Sequence, residues 1–444
     1  MKEASSDMTD PNIVATIVIV TLFLLLAIGV PIFASLGLAG AVGIFLLKGP
    51  DGLQVIPTVM YDKLRSFVLV AVPLFILMGQ VIFFSGMGGD LYTLGSRWLS
   101  RLPGGLAMGS VAACTIFGAM CGVSVAGAAT IGSFAIPEML QRGYDKRLAT
   151  GSVAAAGALA LLIPPSIGFI IYGEIADVSV GMLFIGGIVP GLVLAFMMCM
   201  YIGARAWLHP EIAPPSKEIV TWRLRLMSLQ KVWPGLLLIF AVLGTIYLGV
   251  ATPTQAAAIG FLISLFIAHF VYKSLNWRVF VNIARGTMLT TGMILIIFVS
   301  AMFFGYVLTL LKLPDHIMEF IGECGWPAWL TLAVIMGMLI VLGCFVDAVS
   351  VITISAPLLL PTIEMLGYSP LWFGIVMGIT LEMAVITPPV GLNLYTIKGI
   401  APPEVSLNDI VRGALPFVAI EIVCLALFVA FPYLTLWLPQ TMFR

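Results

Sequence analysis

The amino-acid sequence predicts an all-α polytopic membrane protein whose two halves repeat one another. Hydrophobic residues make up 61% of the 444-residue chain and charged residues 9%, against about a quarter charged in soluble domains. The apolar runs, such as residues 67–84, have the length of spanning helices, which need about 20 residues. A β-barrel would show short alternating segments instead. The lipid bilayer is therefore the first partner that we expect.

The repeat is visible as one pattern of proline, glycine and tyrosine residues that recurs about half a chain length apart. It consists of Pro137, Gly143, Tyr144, Pro164 and Pro165 in the first half, and of Pro361, Gly367, Tyr368, Pro388 and Pro389 in the second. This recurrence predicts two copies of one structural unit.

The apolar segments form six matching pairs. We predict a first repeat at 1–204, a linker at 205–231 and a second repeat at 232–444. The segments of the first repeat are 13–30, 33–48, 67–86, 104–137, 148–173 and 183–204, and those of the second are 232–250, 255–272, 288–310, 328–361, 371–397 and 413–437. Each repeat thus contains scaffold helices, a hairpin and a broken helix.

Segments 104–137 and 328–361 are predicted to be re-entrant helical hairpins. Each is too long for one span at about 1.5 Å per residue. Small or polar residues interrupt the middle of both, at 118–130 and 343–350. Two short arms that meet near mid-membrane satisfy both observations.

Basic residues orient the two hairpins in opposite directions, which predicts an inverted repeat. Arg142, Lys146 and Arg147 follow the first hairpin, and such residues collect on the cytoplasmic side, so this hairpin opens inward. The loop at 362–371 contains Glu364 and no basic residue, so the second hairpin opens outward. The linker is predicted to be cytoplasmic because it contains Arg205, Lys217, Arg223, Arg225 and Lys231.

Two Pro-Pro steps interrupt segments 148–173 and 371–397. Proline removes a backbone donor and clashes with the preceding turn, so each step breaks its helix. The half-helix after a break presents a positive N-terminus to an anion, and the carbonyls before it suit a cation such as Na⁺. A kink that only improves packing is the alternative, but recurrence at equivalent places favours a binding role.

Small and hydroxyl-bearing residues at the hairpin tips are candidate ligands. They are Gly122, Ser124, Gly127 and Thr130 in the first tip, and Gly343, Asp347, Ser350 and Thr353 in the second. Small residues in membrane helices also serve helix packing. For the Ser and Thr positions both interpretations stay open.

Acidic residues inside apolar segments form a second set of candidates. A mid-membrane carboxylate costs about 2.5–3.5 kcal/mol on insertion scales and is functional by default, which favours a ligand role for Asp347 over capping of its hairpin arm. Glu382 has either a proton or cation role or a hydrogen-bonded structural role. Glu174 and Asp177 lie at a predicted membrane edge and are interpreted as surface charges.

Enzymatic and nucleic-acid functions find little support. The 21 basic and 21 acidic side chains cancel, so no net charge attracts nucleic acid. The three histidines form no HExxH pair, and no P-loop sequence is present. The six cysteines form no CxxC pair and are interpreted as small buried hydrophobes. We therefore expect neither an enzyme nor a bound cofactor.

Four stretches resemble the large membrane subunit of tripartite ATP-independent periplasmic (TRAP) transporters, the DctM family. They are residues 118–173, 187–191, 253–260 and 343–395, the last of which contains ITPPVGLNLY. The resemblance implies an elevator fold of the ion-transporter superfamily in the bacterial inner membrane. It implies a permease that imports a small organic acid, such as a C4-dicarboxylate, sugar acid or keto acid, by symport with sodium. The implied partners are a small TRAP membrane subunit, expected as a separate chain, and a periplasmic substrate-binding protein.

The resemblance also implies site residues. The expected cation-binding residues are Gly122, Ser124, Pro164 and Pro165 around one Na⁺, and Gly343, Asp347, Thr387 and Pro388 around a second. The expected substrate-binding residues are Ser124, Ser166, Ser350, Pro389 and Asn393. The first tip reads GVSVAG where many relatives read GSSVAT. Cation ligation there is expected to rely more on backbone carbonyls around Ser124.

Other functions remain open at this point. A stand-alone Na⁺/anion symporter or antiporter of the same superfamily would share the repeats but need no binding protein. A membrane-embedded enzyme would need a catalytic His, Ser/Lys or Asp pair at one depth, which the sequence does not show. An ion channel would need a continuous pore, and hairpins that open to opposite sides suit alternating access better. The sequence does not identify the transported acid.

Overall fold

The computed structural model describes residues 10–214 and 220–442, and every regular element in these ranges is a helix. The first half contains α1 (Pro11–Ala27), α2 (Ile32–Gly52), α3 (Val55–Leu64), α4 (Ala71–Ser85), α5 (Met87–Leu99), α6 (Gly105–Cys121), α7 (Ser124–Gln141), α8 (Lys146–Ala158), α9 (Ile167–Ala176) and α10 (Val180–Leu208). The second half contains α11 (Trp222–Tyr247), α12 (Pro253–Phe266), α13 (Trp277–Leu310), α14 (Leu313–Cys324), α15 (Ala328–Phe345), α16 (Ala348–Met365), α17 (Pro370–Ala384), α18 (Leu392–Ile400), α19 (Leu407–Ala430) and α20 (Tyr433–Thr441).

Nine helices in the described ranges are long and apolar enough to cross a membrane. They confirm the predicted all-α polytopic membrane protein. Each of the four long predicted segments holds two helices: α6 with α7, α8 with α9, α15 with α16, and α17 with α18. The order of helical hairpin and broken helix therefore occurs once in each half. That the hairpins are re-entrant, and that the two copies are inverted, stay predictions.

The second arms of both hairpins extend beyond the predicted boundaries. α7 continues past Pro137 to Gln141, and α16 continues past Pro361 to Met365. The predicted segments, 104–137 and 328–361, stop at these prolines, four residues before the helices end. A proline inside a membrane helix is tolerated where neighbouring groups satisfy the freed backbone.

The repeated Gly-Tyr pair is the signal that ends both arms. Gly143 and Gly367 adopt positive φ, +80° and +82°. In each copy the glycine N–H bonds to the carbonyl three residues earlier, and the tyrosine N–H bonds to the carbonyl five residues earlier. This pairing is a Schellman motif, and glycine is favoured there because it adopts positive φ without steric cost.

Several elements differ from the predicted segments. The short helices α3 and α5 lie in ranges where we predicted no span, and so does α14. Charged residues on α5 and α14 lower the local hydropathy, so neither helix forms a continuous apolar run. The spans α11, α13 and α19 begin earlier than predicted because their first turns are polar. The linker is shorter than 205–231, since α10 ends at Leu208 and α11 begins at Trp222; Lys217 lies outside the described residues.

The buried side chains form two main cores. A smaller core joins α1, α2 and the C-terminal half of α13. A larger core joins the two hairpins, the broken helices and their neighbours α10 and α19. α13 contributes to both, because residues in its middle pack into the larger core and residues nearer its end pack into the smaller one. This helix therefore contacts both cores.

Candidate functional site

The first hairpin tip lies directly on the first Pro-Pro break. Gly122 ends α6 with φ +64° and is buried. A Cβ atom at this position would lie 2.2 Å from the carbonyl oxygen of Pro165. Both the positive φ and this close approach require glycine. Gly122 therefore brings the hairpin backbone to the carbonyls of the break.

The first break is buried among the helices. α8 ends at Ala158, a 3₁₀ turn follows, and α9 begins after Ser166. Between them Pro164 and Pro165 are joined by a cis peptide bond. The Ser166 hydroxyl donates a 2.6 Å hydrogen bond to the carbonyl of Leu161, which Pro165 cannot serve because it lacks an N–H. The oxygen of Ser166 still has lone pairs that can accept or coordinate.

The second break repeats this arrangement and is tied to the second hairpin. Pro388 and Pro389 are also joined by a cis peptide bond. The N–H of Gly391 donates to the carbonyl of Cys344 at 3.2 Å, so the break holds the last turn of α15. The Thr387 hydroxyl donates to the Met383 carbonyl at 2.7 Å and keeps its lone pairs free.

The helix that begins at the second hairpin tip, α16, is capped by the carboxylate of Asp347. Asp347 is the N-cap of α16 and accepts a hydrogen bond from the Ser350 N–H at 3.0 Å. The Ser350 hydroxyl donates to the other carboxylate oxygen. Asp347 therefore has the capping role that the sequence left as an alternative. Half-buried Asp347 also lines a cavity, so capping does not exclude a ligand role.

One side chain connects the two halves of the molecule. Fully buried Asn393, on the first turn of α18, accepts a hydrogen bond from the Ser124 hydroxyl at 3.0 Å. Its amide nitrogen donates to the carbonyl of Ala154 on α8 at 3.1 Å. The break of the second copy is thereby fixed to the hairpin tip and the broken helix of the first. These three groups order the centre of the site.

A cavity of about 230 Å³ lies where these elements converge. Its lining includes the first residues of four helices: Ser124 and Val125 of α7, Ile167 and Gly168 of α9, Ala348 and Val349 of α16, and Leu392 of α18. The first-turn N–H groups of a helix have no acceptor within the helix, and its dipole is positive at that end. Four such ends around one cavity favour an anion, and otherwise the lining is mostly apolar.

The structure places the predicted site residues in three groups around this cavity. Gly122, Ser124 and Asp347 line it. Ser166, Ser350 and Asn393 are buried and lie next to lining residues or one position removed from them in the sequence. Pro164, Pro165 and Gly343 are also buried and do not line the cavity. Thr387 and Pro388 are half-buried and Pro389 is exposed. Gly343 allows a close approach, because a Cβ there would lie 2.6 Å from the Ala384 methyl.

One wall of the cavity was not predicted from the sequence. Thr290, Met293 and Ile294 of α13 face the hairpin tips and breaks across it. A local signal existed, since the pair Thr290 and Thr291 interrupts an otherwise apolar stretch of α13. Nothing in that pattern, however, indicates that this helix meets the break region.

The groups around the cavity suit Na⁺ as a ligand. Among the described residues no three His, Cys, Asp or Glu side chains cluster as a metal site, whereas carboxylate, hydroxyl and break carbonyl oxygens are all present. Hard cations prefer oxygen donors, and unwound backbone carbonyls are used for Na⁺ in transporters. The Gly122 backbone lies so close to the Pro165 carbonyl oxygen that no Cβ atom would fit between them. This arrangement is compatible with coordination of a cation by backbone carbonyls. The donor set is therefore compatible with Na⁺.

Comparison with known proteins supports the predicted resemblance. Residues 19–434 match the model of the family described as "Tripartite ATP-independent periplasmic transporter, DctM component". The C4-dicarboxylate TRAP transporter large permease protein DctM of Pseudomonas aeruginosa is 37% identical over 408 residues, which cover 91% of this chain and 94% of that protein.

Two other relatives have different named solutes. The isethionate TRAP transporter permease protein DctMQ of Oleidesulfovibrio alaskensis is 33% identical, over 90% of this chain and 62% of that protein. The ectoine TRAP transporter large permease protein TeaC of Halomonas elongata is 31% identical, over 97% of this chain and 100% of that protein.

Among solved structures, the YdaH transporter of Alcanivorax borkumensis is similar in fold. The TM-score is 0.64 at 15% sequence identity, over 94% of this chain and 99% of that one. This likeness supports the helical transporter architecture, and at such low identity it concerns the fold alone.

Proposed function

We propose a specific transport function from the premise that this chain belongs to the DctM family of TRAP transporters. The chain is a TRAP large permease, a multi-pass protein of the inner membrane and not an enzyme. The family works with a small membrane subunit and a periplasmic binding protein. Beyond this, we propose Na⁺-coupled import of a small organic acid, with the hairpins and broken helices moving against a scaffold.

The convergence of four helix N-termini on one cavity carries this proposal. Backbone N–H groups and helix dipoles stabilise a carboxylate at a helix N-terminus. The Ser124 hydroxyl lies at the start of α7 and is held by Asn393, so it is oriented before any solute arrives. The rest of the lining is mostly apolar. The cavity therefore favours a solute that is recognised by its anionic group, while the remainder of the solute contacts apolar side chains.

Na⁺ would be held by oxygen atoms at the tips and breaks. We propose Gly122, Ser124, Pro164 and Pro165 for one ion, and Gly343, Asp347, Thr387 and Pro388 for the other. A bound cation would supply positive charge beside Asp347 and the incoming anion. The chain's own contribution is to hold Asp347 in place through the amide and hydroxyl of Ser350, and to exclude water by burying the first break.

The position of α13 supports an elevator movement. Thr290 and Met293 form the cavity wall opposite the tips, and the far end of α13 packs into the smaller core with α1 and α2. The other walls belong to the hairpins and broken helices. A shift of these elements along α13 would move the cavity relative to this wall, which is the rearrangement that alternating access requires.

The solute class follows from recognition of one anionic group. The relatives named for C4-dicarboxylate and isethionate indicate that solutes differ widely within the family. The N-termini of α7, α9 and α18 at the cavity can bind a carboxylate through backbone atoms, whereas that of α16 is capped by Asp347. We therefore propose a C4-dicarboxylate, sugar acid or keto acid, with selection among them left to the binding protein.

The test is solute uptake into proteoliposomes that contain this chain, its small subunit and an added binding protein. An inward Na⁺ gradient is expected to drive accumulation of a labelled acid that the binding protein carries. Equal uptake with and without the gradient would contradict Na⁺ coupling. Gradient-driven uptake without the binding protein would instead support a stand-alone symporter.

A further inference from the structure

Two carboxyl groups lie close to each other in the larger core, and neither belongs to the residues that line the cavity. Glu382 is on the last turn of α17, and Glu421 is in the middle of α19. Both side chains are 0% exposed. The two helices pack against each other, and each carboxyl is close enough for the charge of Glu382 to act on Glu421. Of these two residues only Glu382 was a candidate from the sequence.

Neither carboxyl has a partner among the described residues. All four oxygen atoms are buried without a hydrogen bond, so Glu382 and Glu421 are not bonded to one another. The basic residues at the start of α8, Lys146 and Arg147, contact Asp409 at the start of α19 instead. The proposed structural role of Glu382 through hydrogen bonds therefore finds no support.

Other charges do not compensate for the pair. The titratable or charged groups on helices packed against α17 and α19, or on those helices themselves, are Lys146, Arg147, Tyr172, Glu174, Cys199, Tyr201, Arg205, Cys344, Glu364, Tyr395, Lys398, Asp409, Arg412, Cys424 and Tyr433. Among these, Cys424 interacts electrostatically with both carboxyls, and it supplies no positive charge.

The neutral form of the pair is favoured by two separate costs of ionisation. An unpaired carboxylate in a medium of low dielectric is expensive, and a second negative charge beside it adds repulsion. A proton on each carboxyl removes both costs and needs no further ligand. Na⁺ would need several oxygen donors, and the described residues offer no third carboxylate here.

We propose that Glu382 and Glu421 form a proton-binding site in the larger core, separate from the Na⁺ sites, and that a proton is exchanged there during transport. The exchange rests on the proposed transport function. Glu382 is followed within one turn by the break at 385–391, and Gly391 is bonded to the second hairpin. A movement of the second hairpin at this break would therefore change the surroundings of Glu382.

Infrared spectroscopy of the purified complex tests proton binding without any transport. The wild type is expected to show a protonated-carboxyl C=O band at neutral pH that shifts in D₂O. Glu382→Gln and Glu421→Gln should each remove part of the band, and the double variant should remove more. Glu364→Gln, at an exposed carboxyl on α16, is the control and should leave it intact. Size-exclusion chromatography identifies the variants that fold. One folded single variant is enough to test whether the band comes from the pair.

An unchanged band in the folded Glu variants would overturn the proton site.

The exchange is tested in proteoliposomes that enclose a pH-sensitive dye. The wild type should show a proton signal in step with Na⁺-driven solute uptake, and Glu421→Gln should lose that signal. Solute uptake by the wild type without a proton signal would overturn the exchange. A complete lack of uptake would contradict the proposed transport function, while the infrared result would still decide the proton site.

Discussion

The hydroxyl of Ser124 donates a 3.0 Å hydrogen bond to the side-chain oxygen of Asn393. The two residues belong to different copies of the repeat, and both are buried. Through Asn393 the bond continues to the backbone of α8. The first hairpin tip, the first broken helix and the second break therefore form one connected unit around the cavity.

Removing either member of this pair is expected to weaken the site. Ser124→Ala leaves a buried amide oxygen without its donor, and Asn393→Ala removes two hydrogen bonds. An unsatisfied buried group costs about 1–3 kcal/mol. We expect a lower melting temperature and slower uptake for both, measured by thermal unfolding and by proteoliposome transport.

The double variant and a matched control define the coupling. Losses in Ser124→Ala and Asn393→Ala should not add, because each removes the same bond. Ser133→Ala, on the exposed side of α7 and bonded only within its own helix, should behave like the wild type. Strictly additive losses would contradict a direct bond between Ser124 and Asn393.

Two substitutions separate the capping role of Asp347 from its charge. Asparagine caps a helix about as well as aspartate, so Asp347→Asn should keep the melting temperature but lose Na⁺-dependent uptake. Asp347→Ala should lose both, with about 0.5–2 kcal/mol of stability removed with the cap. Initial uptake rates across a series of Na⁺ concentrations make this comparison. An unchanged Na⁺ dependence in Asp347→Asn would leave the carboxylate as a cap only.

Local chemistry in the sequence was sufficient for the positions of the helix interruptions. Two adjacent prolines break a helix, and small or polar residues mark the turns between α6 and α7 and between α15 and α16. Length alone is not decisive, since α13 continues as one helix over 34 residues. The predicted segments stop short of the ends of α7 and α16, which lie just before Gly143 and Gly367. α5 and α14 were missed since charged residues on them reduce hydropathy without breaking the helix.

The contacts between distant segments could not be predicted in the same way. The bond from Ser124 to Asn393, the wall formed by Thr290 and the neighbourhood of Glu382 and Glu421 all depend on how complete helices pack. Residue type indicated that Asn393 and Glu382 were unusual in apolar surroundings. Which side chains they face is a property of the assembled core and not of any local pattern.

Gly122→Ala tests the close approach of the first tip to the break. The added methyl group would meet the Pro165 carbonyl at 2.2 Å, at a position with φ +64°. We expect a lower melting temperature and little uptake. The control is Gly127→Ala on the same hairpin, where a Cβ meets nothing closer than 3.7 Å and φ is not positive. Equal behaviour of the two variants would show that the tip tolerates displacement from the break.

Thr290→Phe tests whether the cavity wall on α13 limits transport. Thr290 lines a space of about 230 Å³, and a phenyl ring there would occupy much of it. We expect uptake to fall sharply while the melting temperature stays near the wild-type value, because the ring enters a cavity and not a packed core. Met288→Phe is the matched control, since this residue lies on the same helix and is 74% exposed. Uptake by Thr290→Phe equal to that by Met288→Phe would place the solute path elsewhere.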